Sequence, residues 1–243
     1  MNEGIKYGKG LFETIKVVER KPVYLEDHIE RLKNSMNFLG MNTKNIRENI
    51  KAEIENIDLD TDCLRVMVLD NNGDYDLFIN TRNTDYSDLK YTQGLKLKVL
   101  NQLRDKNNPL VYHKTNNYLL NDYLHKELLK EGFDEGVFLN QDGNVTEGTY
   151  TNLFFIQENT FITPHLADGM LPGIFRKKLI EFLKIKGYNI IEKSIKLSDL
   201  QSMDCCFATN SLMEMRFVRQ IDEIMFSKSN LFCEISEKLM NEY

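Results

Sequence analysis

Residues 134–155 read DEGVFLNQDGNVTEGTYTNLFF. Two β-forming runs, GVFLN and NVTEG, flank Asp142-Gly143, the strongest short hairpin signal in the chain. A third run, NLFFI, follows directly, and TFITP after it completes a second strand pair. Glu147 therefore falls between the end of one hairpin and the start of the next strand. A lone glutamate in such a place is ordinarily a solvated edge residue. It gains a role only if something cationic lies opposite it.

Toward the N-terminus, LFETIKVV (residues 11–18) reads as a strand, and KPV turns it toward a return strand. In YLEDHIERLKNSMNFLG, the apolar residues Leu25, Ile29, Leu32, Met36 and Leu39 alternate spacings of four and three. That is one helical stripe, with Gly40 placed to end it. A second, polar helix is predicted over residues 45–57, followed by strands in CLRVMVLD, DYDLFINTR and LKLKVLN. Beyond the polar, proline-bearing LRDKNNP, the stretch NNYLLNDYLHKELLKEG reads as a helix. So do GIFRKKLIEFLKIKG and SNLFCEISEKLMNEY, with strands in NIIEKSI and CCFATN. The pattern predicts an α+β chain of two lobes: residues 1–102, a crossing at 103–110, and 111–243. A cleft between lobes is a usual place for a ligand.

Composition narrows the function classes. A chain of 243 residues with 42% hydrophobic and 28% charged residues can bury a sizeable core. Its net charge of −6 argues against nonspecific nucleic-acid binding, which needs a basic surface. No apolar run is long enough to span a bilayer, and MNEGIKYGKG has no signal-peptide character. Cys63, Cys205, Cys206 and Cys233 have no metal-site spacing, and two are adjacent, a poor disulfide framework. A cytoplasmic location is the expectation. The four histidines (28, 113, 125 and 165) are scattered, so no metal site is expected.

Four further features are candidates for chemistry. Lys114, in VYHKTNNYLL, sits between a strand-like opening and a helix, with no carboxylate in the four residues before it. Most lysines are solvated surface residues. The alternative is a Schiff-base lysine, because an amine in a partly desolvated pocket loses its proton more readily and becomes nucleophilic. Arg31 flanks the helical stripe beside His28. It reads either as a snorkelling arginine or as an anion clamp. LPGIFRKKL opens a helix at a glycine, which is either an ordinary turn or an anion site made of free N–H groups. GKG at residues 8–10 is not a dinucleotide fingerprint, since Glu13 stands where a third glycine would be needed.

Taken in order, FET, HIERL, KTNNY, DEGVFLNQDGNVTEGTYTNLF, ITP, LPGIFR and FATNSLM resemble the class IV aminotransferase family, from about residue 7 to residue 221. These are pyridoxal-phosphate enzymes, among them branched-chain and D-amino-acid aminotransferases and 4-amino-4-deoxychorismate lyases. The resemblance implies a two-lobed D-amino-acid-aminotransferase-like fold, each lobe a mixed sheet with packed helices. It implies pyridoxal 5'-phosphate as cofactor, a small-molecule substrate and a homodimer. By it, Lys114 is the Schiff-base lysine and proton-transfer base, and Glu147 binds the pyridine nitrogen. Arg31 holds the phosphate with the backbone N–H groups around Ile174 and Phe175, while Asn210 and Ser211 form a second phosphate-contacting turn.

Two details lean toward the lyase branch: Thr14 in LFET, and the TNSLM turn at 209–213. The lyase eliminates pyruvate to leave 4-aminobenzoate, a step of folate synthesis, with Thr14 as a proton relay to the departing group. The alternatives are an aminotransferase for D- or branched-chain amino acids and a pyridoxal-phosphate-binding protein without turnover. The turn NNGDYDLF lacks the arginine- and glycine-rich loop of many relatives. Arg65 is accordingly a candidate partner for a substrate carboxylate, and Arg216 or Arg219 could serve locally.

Overall fold

The computed structural model describes residues 3–84 and 93–240, which divide into two compact units. The first comprises Met1–Asp85 with His113–Leu119, and the second Tyr86–Tyr112 with Leu120–Tyr243.

In the first unit a short helix α1 (Glu3–Tyr7) precedes strands β1 (Gly10–Val18), β2 (Lys21–Pro22), β3 (Cys63–Asn71) and β4 (Asp74–Arg82). They form one sheet in the order β2-β1-β3-β4, every pairing antiparallel. The mixed sheet expected of both lobes is thus confined to the second. Between β2 and β3 run α2 (Leu25–Phe38) and α3 (Ile46–Glu55). The helical stripe lies where its spacing places it: Ile29, Leu32 and Met36 are buried against Leu11, Ile15 and Val17 of β1, Leu64, Val66 and Val68 of β3, and Ile46 and Ile50 of α3. Gly40, at φ +70, ends α2 in the left-handed conformation that glycine adopts without steric cost.

Strand periodicity decides what the two faces of β1 carry. Side chains alternate, so Leu11, Glu13, Ile15 and Val17 share the core face, and Phe12 and Thr14 share the other. Directly opposed residues of an antiparallel pair lie on one face. The register Phe12↔Met67 and Thr14↔Arg65 therefore sets Arg65 beside Thr14.

In the second unit the strands are β5 (Leu95–Arg104), β6 (Glu135–Asn140), β7 (Asn152–Gln157), β8 (Thr160–Pro164), β9 (Asn189–Lys193), β10 (Cys205–Asn210), β11 (Glu214–Ile221) and β12 (Ile224–Met225). The sheet order is β6-β5-β11-β10-β7-β8-β9, with β12 on β11. It is mixed: β5 runs parallel to both β6 and β11, and β8 parallel to β9, while the central pairings are antiparallel. The helices are α4 (Leu119–Lys130), α5 (Ile174–Ile185) and α6 (Asn230–Met240). The strands β7 and β10 are buried along almost their whole length, which explains why NLFFI and CCFATN show no polar alternation. Phe154, Phe155, Phe207, Leu179, Leu183 and Ile235 form their core. Leu124 and Leu128 of α4 pack separately on Leu100 and Phe138.

Three sequence expectations change. The expected crossing at 103–110 with a lobe from 111 onward does not match the division, because Leu95–Arg104 is paired into the second sheet and His113–Leu119 belong with the first unit. Tertiary pairing, not the polar composition of LRDKNNP, sets the boundary. The strand-like opening before Lys114 is instead a 3-10 turn, Pro109–Tyr112. The Asp142-Gly143 turn is present, with Gly143 at φ +73 and its N–H on Asn140 O, but the return arm forms only isolated bridges. Part of that arm pairs elsewhere: Val145 N–H donates to Ile195 O at 2.7 Å.

Candidate active site

Residues 114–116 run along the start of β1 as a short antiparallel bridge. Phe12 N–H donates to Lys114 O and Asn116 N–H to Gly10 O, both at 2.9 Å, around the Leu11↔Thr115 bridge. Such closeness requires a glycine at position 10, where a Cβ would lie 2.5 Å from the Asn116 side-chain Nδ2 and 2.9 Å from Val68 O. The second glycine of GKG thus serves packing. His113 anchors the other end of the segment: its Nδ1 hydrogen-bonds Ser35 Oγ at 2.9 Å, and its ring stacks on Phe38 at 4.1 Å.

With its backbone fixed, Lys114 projects its ammonium 4.3 Å from the Phe12 ring centroid and 4.9 Å from that of Tyr118. The two rings meet edge to face at 5.3 Å. The Arg65 guanidinium also rests on Phe12, at 4.2 Å. Lys114, Tyr118, Arg65 and Thr14 therefore gather around one aromatic side chain. An ammonium over ring faces is attracted by their quadrupoles.

The core face of β1 is arranged differently. Glu13 is almost wholly buried and takes Arg31 in a two-point grip, Nε to Oε1 at 2.8 Å and Nη2 to Oε2 at 2.5 Å. His28 Nδ1–H adds a third bond to Oε2 at 2.7 Å. Burial works against the charged carboxylate, but the Arg31 charge and the His28 bond outweigh it and bring Glu13 down to about 2. For His28, burial is the largest influence and holds the imidazole below its ordinary value despite the Glu13 bond. Arg31, expected as a phosphate clamp, is thus already matched by a carboxylate that the sequence reading left out. The local signal was present: HIER places His28 and Arg31 one turn apart, opposite a strand whose apolar face contains a glutamate.

In the second unit Glu147 lies at an isolated bridge with Asn152, its carbonyl accepting from Phe138 N–H at 2.8 Å. Its carboxylate meets Arg104 Nη2 at 3.0 Å and Leu171 N–H at 3.0 Å. Arg104, at the end of β5, stacks on Phe138 at 4.1 Å. Its sequence context, LRDKNNP, reads as a polar crossing, and its partner lies too far along the chain for any local pattern to signal.

Leu171 belongs to the loop that opens α5. Asn152 Nδ2 donates to Leu171 O at 3.0 Å, and a Cβ on Gly173 would sit 2.1 Å from Asn152 Oδ1. Gly173 is extended (φ −63, ψ 137) and gives α5 no side-chain cap. No N-cap side chain therefore bonds the first-turn N–H groups, those of Ile174 and Phe175 among them, and a helix start of this kind suits an anion. Arg176 turns instead into Pro164 O and Glu192, a buried structural pairing. Asn210 Oδ1 accepts from the N–H groups of Leu212 and Met213, both at 2.9 Å, and shapes the β10–β11 turn in which Ser211 is half-buried.

The predicted residues thus fall into two sets, described within their own units: Lys114, Thr14 and Arg31 in the first, and Glu147, Ile174, Phe175, Asn210 and Ser211 in the second. Their chemistry fits pyridoxal phosphate, which needs an amine, an anionic acceptor for its ring nitrogen and a cradle for its phosphate. The arginine-braced Glu147 and the start of α5 at Gly173, which has no side-chain cap, are groups of the last two kinds.

The family model for amino-transferase class IV matches residues 10–221. The chain belongs to the class IV aminotransferases. As such it is an enzyme, a pyridoxal-phosphate-dependent lyase or aminotransferase. It is 27% identical to the aminodeoxychorismate lyase of Bacillus subtilis (strain 168) over 248 residues, covering 94% of this chain and 83% of that one. It is equally 27% identical, over 258 residues, to the "Probable branched-chain-amino-acid aminotransferase" of Rickettsia bellii, covering 100% of this chain and 88% of that one. Among solved structures, the "Putative 4-amino-4-deoxychorismate lyase" of Legionella pneumophila superposes with a TM-score of 0.91 at 28% identity, covering 100% and 94% of the two chains. Among the described residues of this class IV chain, no helix is long and apolar enough to cross a membrane, and no cluster of three or more histidine, cysteine or acidic side chains could hold a metal.

Proposed function

We propose that this enzyme is a 4-amino-4-deoxychorismate lyase, releasing pyruvate and leaving 4-aminobenzoate for folate synthesis. One observation carries the reading: Thr14 lies directly across the ladder from Arg65, on the strand face whose Phe12 ring supports both Arg65 and the Lys114 ammonium. A hydroxyl, a carboxylate-binding cation and a base are thereby gathered as the elimination requires. The names of the Bacillus and Legionella relatives support the same direction.

In this reading pyridoxal 5'-phosphate, when bound, supplies the electron sink into which the bond-breaking electrons are drawn. Lys114, once its amine is free, removes the proton from C4 of the substrate ring. Glu147, paired with Arg104, holds the cofactor's ring nitrogen protonated. The N–H groups at the start of α5 and the Asn210–Ser211 turn hold the phosphate. Arg65 meets a substrate carboxylate. Thr14 donates a proton toward the departing enolpyruvyl oxygen, since a hydroxyl both donates and accepts. We place the enzyme in the cytoplasm as a homodimer acting on a small-molecule substrate.

The test is release of 4-aminobenzoate and pyruvate from 4-amino-4-deoxychorismate by the cofactor-loaded protein. Catalytic release, lowered by about a thousandfold or more in Lys114→Ala, supports the lyase. Release at no more than the Lys114→Ala rate by protein that binds the cofactor overturns it. The second reading is then an aminotransferase for branched-chain or D-amino acids. It is favoured by the equal identity to the Rickettsia relative and uses the same cofactor residues.

A further inference from the structure

The turn that follows Glu147 is wrapped around a second carboxylate. Glu135, the first residue of β6, is 3% exposed. Its Oε1 accepts from the N–H groups of Gly136 at 2.7 Å and Thr149 at 2.9 Å, and from the Thr149 hydroxyl. Its Oε2 accepts from Tyr150 N–H at 3.0 Å and the Thr151 hydroxyl at 3.3 Å. His125 Nδ1 stands 3.8 Å from Oε1 and 3.2 Å from the Thr149 hydroxyl oxygen. Five donors thus converge on one buried anion, three of them backbone groups, and they are divided over both oxygens as two acceptors can satisfy and an amide's single oxygen cannot.

The turn is otherwise closed tightly. Gly148 N–H donates to Thr151 O at 2.7 Å, and Asn121 Nδ2 of α4 donates to Thr149 O at 2.7 Å. A Cβ at Gly148 would lie 2.2 Å from the Thr151 hydroxyl oxygen and 3.0 Å from the Glu135 carboxyl carbon, so only glycine lets the turn close on the anion. The two residues bounding this turn, Glu147 and Asn152, are bridged to each other. Both reach the loop before α5: Leu171 N–H donates to the Glu147 carboxylate, and Leu171 O accepts from Asn152.

We propose that Glu135 is a positioning residue for Glu147: by gathering residues 149–151 around its carboxylate, it sets the direction of the Glu147 side chain and the seat of the loop at the phosphate end. The claim rests on the assignment of Glu147 to the cofactor's ring nitrogen. Burial opposes the charged form of Glu135, and the nearby His125 with the bonds from Thr149 and Gly136 outweighs it, so its carboxyl lies below the usual range. Replacing it by glutamine turns one acceptor into a donor facing N–H or O–H groups, a mismatch at the centre of the turn.

The full chain is compared as wild type, Glu135→Gln, Glu147→Gln and the double variant. In cofactor-free protein, Glu135→Gln should speed hydrogen exchange at the Thr149 and Tyr150 amides. With pyridoxal 5'-phosphate added, its affinity should fall by about tenfold. The pH midpoint of the bound cofactor's absorbance should move in the same direction as in Glu147→Gln, and the double variant should bind about as well as Glu147→Gln alone. A lowered Tm with affinity and absorbance midpoint at wild-type values, or losses that multiply in the double variant, would overturn the proposal and leave Glu135 a purely structural anchor. If Glu135→Gln does not fold, Thr149→Val, which removes one hydroxyl donor and keeps the shape, carries the same two criteria with an affinity loss of about threefold. A wild type that takes up no cofactor defeats the assignment of Glu147 itself; cofactor uptake with an indifferent Glu135→Gln defeats only this inference.

Discussion

Glu13 and Glu147 are both buried glutamates facing an arginine, one in each unit. Glu13 receives two nitrogens of Arg31 and one of His28, all side chains, on the core face of its sheet. Glu147 receives one nitrogen of Arg104 and one backbone N–H from the loop ahead of α5. The first arrangement is a closed ion cluster whose members come from one strand and one helix. The second joins a strand end, a turn and a helix-opening loop, so its geometry depends on backbone that a ligand could contact. Equal chemistry is thus differently seated, and in the proposed function the first seat serves stability and the second the cofactor.

The largest effect should come from Glu13→Gln. Removing one partner leaves Arg31 charged in a site with little water, at a cost of about 3–5 kcal/mol, read as a lowered urea midpoint. A cost below about 1 kcal/mol would show that the cluster behaves as a surface pair and would break the comparison. The same cluster predicts an acid limit. Glu13 falls from 4.5 to about 2 on folding, so its contribution is complete above about pH 4.5 and is lost as pH falls toward 2. A shift of that size is worth on the order of 3 kcal/mol. His28 acts in the same direction, because its folded form resists the proton that the unfolded chain accepts below about pH 6.5. Urea midpoints measured from pH 7 to pH 3 should fall, and the portion below pH 4.5 should flatten in Glu13→Gln.

Glu147→Gln should show the opposite profile: turnover lowered by roughly a hundredfold, with stability changed by only about 1–2 kcal/mol. Parallel kinetics and urea unfolding of this variant and Glu13→Gln would sharpen the contrast or erase it. The smallest effect is expected from Gly10→Ala, whose Cβ forces the Asn116 side chain aside and loosens the bridge that carries Lys114. It should cost about 1–3 kcal/mol and speed exchange of the Phe12 and Asn116 amides.

Much of the fold was legible wherever a local rule governs it. The stripe Ile29–Leu32–Met36, the Asp142-Gly143 turn and the paired runs NLFFI and TFITP follow from spacing and turn chemistry within a few residues. The missed elements rest on distant partners. The strand Glu214–Ile221 pairs on one edge with the preceding β10, but its other edge lies parallel to Leu95–Arg104, a pairing that no local pattern encodes. In the candidate site, Lys114 and Glu147 stood out through ordered motifs. Arg104, Glu13 and Glu135 did not, because an ionisable residue in a strand reads as solvated until its partners are known.

The bridge between Thr115 and Leu11 bears on how the protein is made. The first unit needs residues 113–119, yet the chain enters the second unit before supplying them. During synthesis the N-terminal sheet and its helices emerge early but lack the segment that packs along the start of β1, with Phe12 N–H and Gly10 O still to be met. Completion of that unit must await residues encoded beyond β5, so no single truncation point yields it whole. Lys114 lies in the stitch itself, its carbonyl accepting from Phe12 N–H, so the late segment that closes the unit also carries the lysine.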